Sequence, residues 1–188
     1  MAQDSATLFG PDVPPGFEYR TGFISDSEEH ALVDSIGRVT FSDFEMRGAI
    51  ARRRVVFFGQ SYDRDAAGPI PDFLLPLRES LARWAIVEPA EFAMCLINEY
   101  RPGSPIGWHR DAPQYEIVAG VSLLSPCIMK FRPYRSPSAP QERRTTTHKV
   151  LLERRSAYVM KGEARQGYEH HIPPVEELRY SVTFRTLR

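Results

Sequence analysis

At 188 residues, with 42% hydrophobic and 26% charged side chains, the chain has the composition of a globular protein and the length of one domain. Two cysteines exclude a disulfide-dense scaffold, and no apolar run reaches the roughly 18–20 residues of a membrane span. With 24 Lys/Arg against 24 Asp/Glu, whole-chain charge names no partner. Residues 1–15 lack the basic start and apolar stretch of a secretion signal and read as a flexible arm. A monomeric cytoplasmic protein without membrane contact is the expectation, with residues 16–188 forming a single domain.

The stretch "SDSEEHALVDSI" (25–36) offers Ser and Asp as caps, early glutamates and an apolar stripe at Leu32, Val33 and Ile36, which predicts a short helix. "RRVVFFG" (53–59) predicts a strand and "RDAAGPIP" (64–71) a loop. "DFLLPLRESLARWAI" (72–86) has helical spacing at Phe73, Leu77, Leu81 and Trp84, with Pro76 in the first turn, where proline is tolerated.

From about residue 92 the period changes. "EFAMCLINEY", "EIVAGVSLL", "CIMKFRP", "HKVLLE", "SAYVMKG" and "RYSVTFRTL" are short strand-like runs separated by Pro, Gly and Ser turns. That spacing predicts an antiparallel sandwich or barrel, so the class is mainly β with flanking helices, α+β. Cys95 and Cys127 sit in apolar runs and read as buried reduced thiols.

Charge is unevenly placed. From Lys130 to Arg155, eight Lys/Arg face only Glu142 and Glu153, a net of +6. Arg52, Arg53 and Arg54 precede Phe57, Phe58 and Tyr62. Basic residues interleaved with aromatics suit a nucleic-acid strand through phosphate attraction and base stacking, although solvated hairpin faces would look the same.

"NEYRPGSPIGWHRDAP" (98–113) places strand-like residues on both sides of a Pro-Gly turn. In an extended strand His109 and Asp111 share a face, with Arg110 turned away. His30 lies in a charged helix and His148 in the basic hairpin, which leaves "EHHIPP" to supply a third ligand from His170 or His171. Two histidines and one carboxylate leave coordination positions open, as suits non-haem Fe(II); structural zinc would recruit cysteine and close the sphere. In "RYSVTFR", Arg179, Ser181, Thr183 and Arg185 share one face, and Tyr180, Val182 and Phe184 the other. Arginine on the inner face of a closed sheet is costly unless it meets an anion, and a dicarboxylate would satisfy it. The alternative is that both arginines reach solvent at the strand ends.

Together, Asn98-x-Tyr100, His109-x-Asp111, "GEARQGYEHHI" and Arg179-x5-Arg185 resemble the AlkB family of Fe(II)/2-oxoglutarate-dependent dioxygenases, over roughly residues 53–188. The resemblance implies a double-stranded β-helix (jelly roll) core over 92–188. Helices and an N-terminal nucleotide-recognition lid would fill 16–91. It implies that His109, Asp111 and His170 bind Fe(II), the last through the family's His-x-Ile pattern. It further implies that Asn98, Tyr100, Arg179, Ser181 and Arg185 hold 2-oxoglutarate. Phe58, Tyr62, Trp108 and Arg165 would contact substrate. Where some members carry an acid two positions after the aspartate ligand, this chain has Pro113.

The activity so implied consumes O₂ and 2-oxoglutarate and demethylates alkylated DNA or RNA, single strands preferred. RNA (tRNA) modification is a second reading and protein hydroxylation a third. A non-enzymatic metal-stabilised nucleic-acid-binding module would not explain two inward arginines.

Overall fold

The computed structural model describes residues 13–46, 49–60, 68–135 and 147–188, without the side chains of 44–51. In chain order come β1 (Phe17–Arg20), α1 (Asp26–Ile36), β2 (Ser42–Met46), β3 (Ala49–Gly59), α2 (Leu75–Ala85) and β4 (Phe92–Tyr100). Then follow β5 (Ile106–His109), β6 (Tyr115–Leu123), β7 (Cys127–Pro133), β8 (His148–Leu152), β9 (Ala157–Met160), α3 (Gly162–Gln166), β10 (Tyr168–Ile172) and β11 (Arg179–Leu187).

The helix signals act where the sequence puts them. Ser25 caps α1 in a capping box: the Glu28 N–H donates to Ser25 Oγ at 3.2 Å, and the Ser25 N–H to Glu28 Oε2 at 2.7 Å. A 3-10 turn at Asp72–Leu74 leads into α2, whose first turn holds Pro76. The six strands expected after residue 92 all form, and both cysteines are buried free thiols.

Antiparallel pairing builds a seven-stranded sheet, β1-β9-β6-β11-β4-β3-β2, and a four-stranded sheet, β5-β10-β7-β8. This is the jelly-roll arrangement. On the outer face of the large sheet, Leu32 and Ile36 of α1 and Leu77 and Leu81 of α2 pack on Ile97, Val121, Val182 and Phe184. Between the sheets, Val118 and Met160 meet Met129, Phe131, Val150 and Ile172. Alternation along each strand therefore sorts residues between a helix-covered core and the intersheet space, where the site lies.

Three details depart from the sequence reading. Pro14 is buried, and the Pro15 carbonyl accepts from the Ala164 N–H at 2.7 Å, so the end of the expected arm docks on α3. Glu29, on the polar side of the α1 pattern, is buried; it accepts from the Leu124 N–H at 2.8 Å and pairs with Arg154. Arg154 and Arg155 both reach Asp26, and Arg132 pairs with Glu169 at 2.7 Å. Part of the basic 130–155 segment therefore holds the fold together; its residues 136–146 lie outside the described residues.

Candidate active site

The large sheet forms the floor of the site through its cross-strand register. Arg179, Ser181, Thr183 and Arg185 of β11 stand opposite Tyr100, Asn98, Leu96 and Met94 of β4, and β3 adds Arg53, Val55 and Phe57. All of these line one cavity, together with His109, Asp111 and His170. Gly120 of β6 belongs to the same floor: a Cβ there would stand 2.7 Å from the Tyr158 ring and 2.9 Å from the Thr183 methyl. Only hydrogen lets Tyr158 lie across β6.

Both strand arginines are enclosed, not solvent-seeking: Arg179 is 1% exposed and Arg185 7%. They serve different partners, as a separation of six residues along a strand allows. Arg185 donates from Nη2 (2.9 Å) and Nε (3.3 Å) to Asp111 Oδ1, and from Nη1 to Thr183 Oγ1 at 2.9 Å. Arg179 donates from Nε to Ser122 Oγ at 3.0 Å and lies 5.0 Å from the Tyr100 ring centre. Its Nη1 is buried with no partner. A guanidinium left in that state is costly unless an anion completes it. Ser122, a polar residue inside an apolar strand, was the signal for this contact that the sequence reading passed over.

The other end of the floor holds the imidazoles. His109 and His170 are cross-strand partners on β5 and β10, with ring centres 4.2 Å apart. Two steps along β10 (His170 to Ile172) are matched by three along β5 (Ile106 to His109), a bulge that turns both Ile106 and His109 inward. His109 Nδ1 lies 2.8 Å from the Gly107 carbonyl, which can only accept, so Nδ1 carries the proton and Nε2 keeps its lone pair. His170 Nε2 is 3.9 Å from Asp111 Oδ2, and that oxygen is buried without a partner. Burial pushes the His170 imidazole down to about 3, and burial also lowers His109, so both stay neutral and able to ligate. Burial alone would raise the Asp111 carboxyl; the Arg185 guanidinium outweighs it and holds the group well below the carboxylate range.

These donors fit Fe(II): two neutral imidazoles and one ionised carboxylate whose second oxygen has no hydrogen-bond partner. Among the described residues no group of three His, Cys, Asp or Glu side chains is already drawn together to hold a metal ion, and Asp111 gives Oδ1 to Arg185 at 2.9 Å. The set is open, and its carboxylate is already oriented.

Other expectations land elsewhere. Asp111 lies beyond the end of β5, so it joins His109 through the turn that follows and not through strand alternation. His171 points to the outer face, donating from Nδ1 to the Ile106 carbonyl at 2.7 Å. Trp108 faces outward too, between the His171 ring (5.0 Å) and the Arg132 guanidinium (4.4 Å), and does not line the cavity. Phe58 packs against the helix-covered core; its neighbour Phe57 has the parity that enters the cavity. Arg165 is buried and donates to the Ala112 carbonyl, so it braces the Asp111 turn from outside the cavity lining. Arg54 is bound by Glu99 through two hydrogen bonds, and Arg53, inside the cavity, donates to Asn98 Oδ1 at 3.2 Å. Neither forms the basic surface expected of them. Tyr62 lies outside the described residues.

The model of the 2OG-Fe(II) oxygenase superfamily matches residues 52–185. The probable RNA/DNA demethylase ALKBH6 of Danio rerio is 28% identical over 173 residues, covering 88% of this chain and 73% of that protein. The tRNA (carboxymethyluridine(34)-5-O)-methyltransferase ALKBH8 of Macaca fascicularis is 30% identical over 173 residues. There the match covers 85% of this chain but only 24% of the relative. The solved structure of OsALKBH1 superposes with a TM-score of 0.63 at 17% identity, covering 92% of this chain and 98% of that one, which is a likeness of fold. Through its family match and these relatives, the chain belongs to the 2OG-Fe(II) oxygenase superfamily and to its AlkB family, and is an oxidoreductase using Fe(II), 2-oxoglutarate and O₂.

Proposed function

We propose that the chain oxidises an alkyl group on a nucleobase of DNA or RNA, with single strands preferred. In the balanced reaction O₂ gives one oxygen atom to 2-oxoglutarate, which becomes succinate and CO₂. The other goes into a C–H bond of an N-methyl group, and the hydroxymethyl product releases formaldehyde. The observation that carries this reading is a pair of buried polar atoms left partnerless on one cavity: Asp111 Oδ2 at one end and Arg179 Nη1 at the other. One fits a metal and the other a carboxylate.

In this reading His109, Asp111 and His170 hold Fe(II), which supplies the oxygen-activating chemistry when bound. Arg179, with Tyr100, Ser122 and Ser181 beside it, receives the distal carboxylate of 2-oxoglutarate. Arg185 is a positioning residue: it fixes one Asp111 oxygen and leaves the other without a partner, so that the second would be available to a metal. Asn98 orients Arg53 through the 3.2 Å hydrogen bond. A base inside a duplex cannot reach an enclosed site, so the target must be flipped out or already unpaired, and an unpaired base avoids a cost of roughly a few kcal/mol. Relatives named as an RNA/DNA demethylase and a tRNA-modifying enzyme support nucleic acid over protein as substrate.

The test offers methylated DNA, RNA and tRNA in parallel and measures formaldehyde and succinate. Inert nucleic acids beside a hydroxylated protein substrate would overturn the proposal. Turnover confined to an already modified tRNA base would favour RNA modification, the reading that the tRNA-modifying relative supports.

A further inference from the structure

The charge of the target base is set by where alkylation falls, and the cavity's own charges bear on it. Methylation at a ring nitrogen that carried no hydrogen, such as N1 of adenine or N3 of cytosine, leaves a cation. Methylation at one that carried hydrogen, such as N1 of guanine or N3 of uracil, leaves a neutral base.

Among the described residues the cavity is lined by a single acid, Asp111, and by Arg53, Arg110, Arg179 and Arg185. Even with Arg53 set aside, three arginines against one aspartate leave +2. Loading leaves that balance where it was, because Fe(II) brings two positive charges and 2-oxoglutarate two negative. Asp111 is engaged by Arg185 at 2.9 Å, so among the described residues no lining carboxylate is free to meet a cationic base.

Arg110 stands where such a base would enter. It is exposed yet lines the cavity, which puts it at the mouth. Its guanidinium lies 3.4 Å from the Tyr134 ring centre and donates to the Gln166 carbonyl at 3.1 Å. Among the described residues it has no carboxylate in ion-pair reach. The residue two past Asp111 is the exposed Pro113, which supplies no negative charge. An entering cation therefore meets a held positive charge and loses its water shell without gaining a counter-charge from the described residues.

We propose that this cavity selects a nucleobase bearing no positive charge and discriminates against cationic alkylated bases; the inference rests on the nucleobase reading above. Arg110 is its specificity-determining residue at the mouth.

The experiment uses four single-stranded oligonucleotides of identical flanking sequence. Each carries one N1-methyladenine, N3-methylcytosine, N1-methylguanine or N3-methyluracil, and formaldehyde and the restored base are measured near neutral pH. The neutral pair should exceed the cationic pair at least tenfold in kcat/KM, and rising salt should narrow the gap by screening. Arg110→Glu should narrow it several-fold, mainly by lowering KM for the cationic pair, whereas Arg110→Gln should fall between. Equal or better turnover of the cationic pair, or a gap untouched by Arg110→Glu, overturns the inference while leaving the nucleobase reading intact. If all four are inert while the same preparation decarboxylates 2-oxoglutarate, the reading as a demethylase of N-methylated bases falls and takes this inference with it.

Discussion

The two faces of β11 share one backbone and differ in everything else. Tyr180, Val182 and Phe184 point outward into the core under α1 and α2, where only shape and apolar area matter. Arg179, Ser181, Thr183 and Arg185 point inward and are just as enclosed, yet every one of them is polar. The outer face lowers the free energy of the fold by itself. The inner face does not: it holds two guanidinium groups away from water, and only one of them has a carboxylate partner. A single strand can thus carry stability on one side and binding on the other, and mutations on the two sides should separate the two properties.

The largest effect should come from the outer side. Phe184 is fully buried and packs on Phe92 with ring centres 5.9 Å apart. Phe184→Ala should cost about 3–5 kcal/mol, lowering Tm by roughly 6–20 °C, through lost contacts and a cavity the sheet cannot close. Affinity for 2-oxoglutarate in the folded fraction should hold. A Phe184→Ala protein of normal stability but weakened 2-oxoglutarate binding would break the division between the faces.

The inner side should show the converse. Arg179→Ala removes a charged donor from the proposed carboxylate site, a loss of about 2–5 kcal/mol in 2-oxoglutarate binding, or roughly 30-fold to several thousand-fold. Stability should change little or rise, since an incompletely partnered buried charge is gone. Arg179→Lys should recover little, because a point charge does not reproduce the bidentate fork. Titration of 2-oxoglutarate into the metal-loaded protein, beside a denaturant melt, reads both properties. Wild-type affinity in Arg179→Ala would remove the residue from the site.

The faces of β11 were legible in the sequence because alternation over nine residues leaves one register free of conflict. The same reasoning failed on β3 and β5, for physical reasons. Phe57 and Phe58 are both aromatic, so parity could not be told until the pairing of β3 with β4 fixed which one entered the cavity. On β5 the bulge breaks strict alternation: Ile106 and His109 point the same way and Trp108 points out. A bulge is a property of two strands together, and neither strand's sequence contains it. The basic clusters misled for a related reason. Arg54, Arg132 and Arg154 find carboxylates 37 to 125 residues away in sequence, and a local charge count cannot see such partners.

A subtler contrast is acid sensitivity, since the outer face carries no titratable group near neutrality and the inner face carries His170. Burial drops that imidazole from its ordinary value near 6.5 to about 3. Between those values the unfolded chain binds a proton that the folded chain refuses, so the stabilisation is full above about 6.5 and is lost as pH falls toward 3. The slope from this one group is at most about 1.4 kcal/mol per pH unit. Urea melts of the metal-free protein at pH 7.5, 5.5 and 4.5 should show the decline. It should shrink in His170→Gln and persist in Val182→Ala. An unchanged slope in His170→Gln would assign the acid sensitivity to other groups.

The smallest effect tests how far the outer face reaches. Ile86 ends α2 in the left-handed region, φ 61°, although it is β-branched, and its side chain is 87% exposed. A left-handed conformation costs an L-residue roughly 1–2 kcal/mol, and exposure leaves little packing to offset it. Glycine relieves that strain but gives the unfolded chain more freedom, worth about 0.5–1 kcal/mol in the other direction. Ile86→Gly should therefore stabilise by no more than about 1 kcal/mol, raising Tm by roughly 2–4 °C. Affinity for 2-oxoglutarate should not change, because α2 touches only the outer face. A drop in Tm would mean that Ile86 packs against something its exposure does not reveal. A change in 2-oxoglutarate affinity would mean that the end of α2 is coupled through the sheet to the inner face, and the two sides of β11 would not be independent after all.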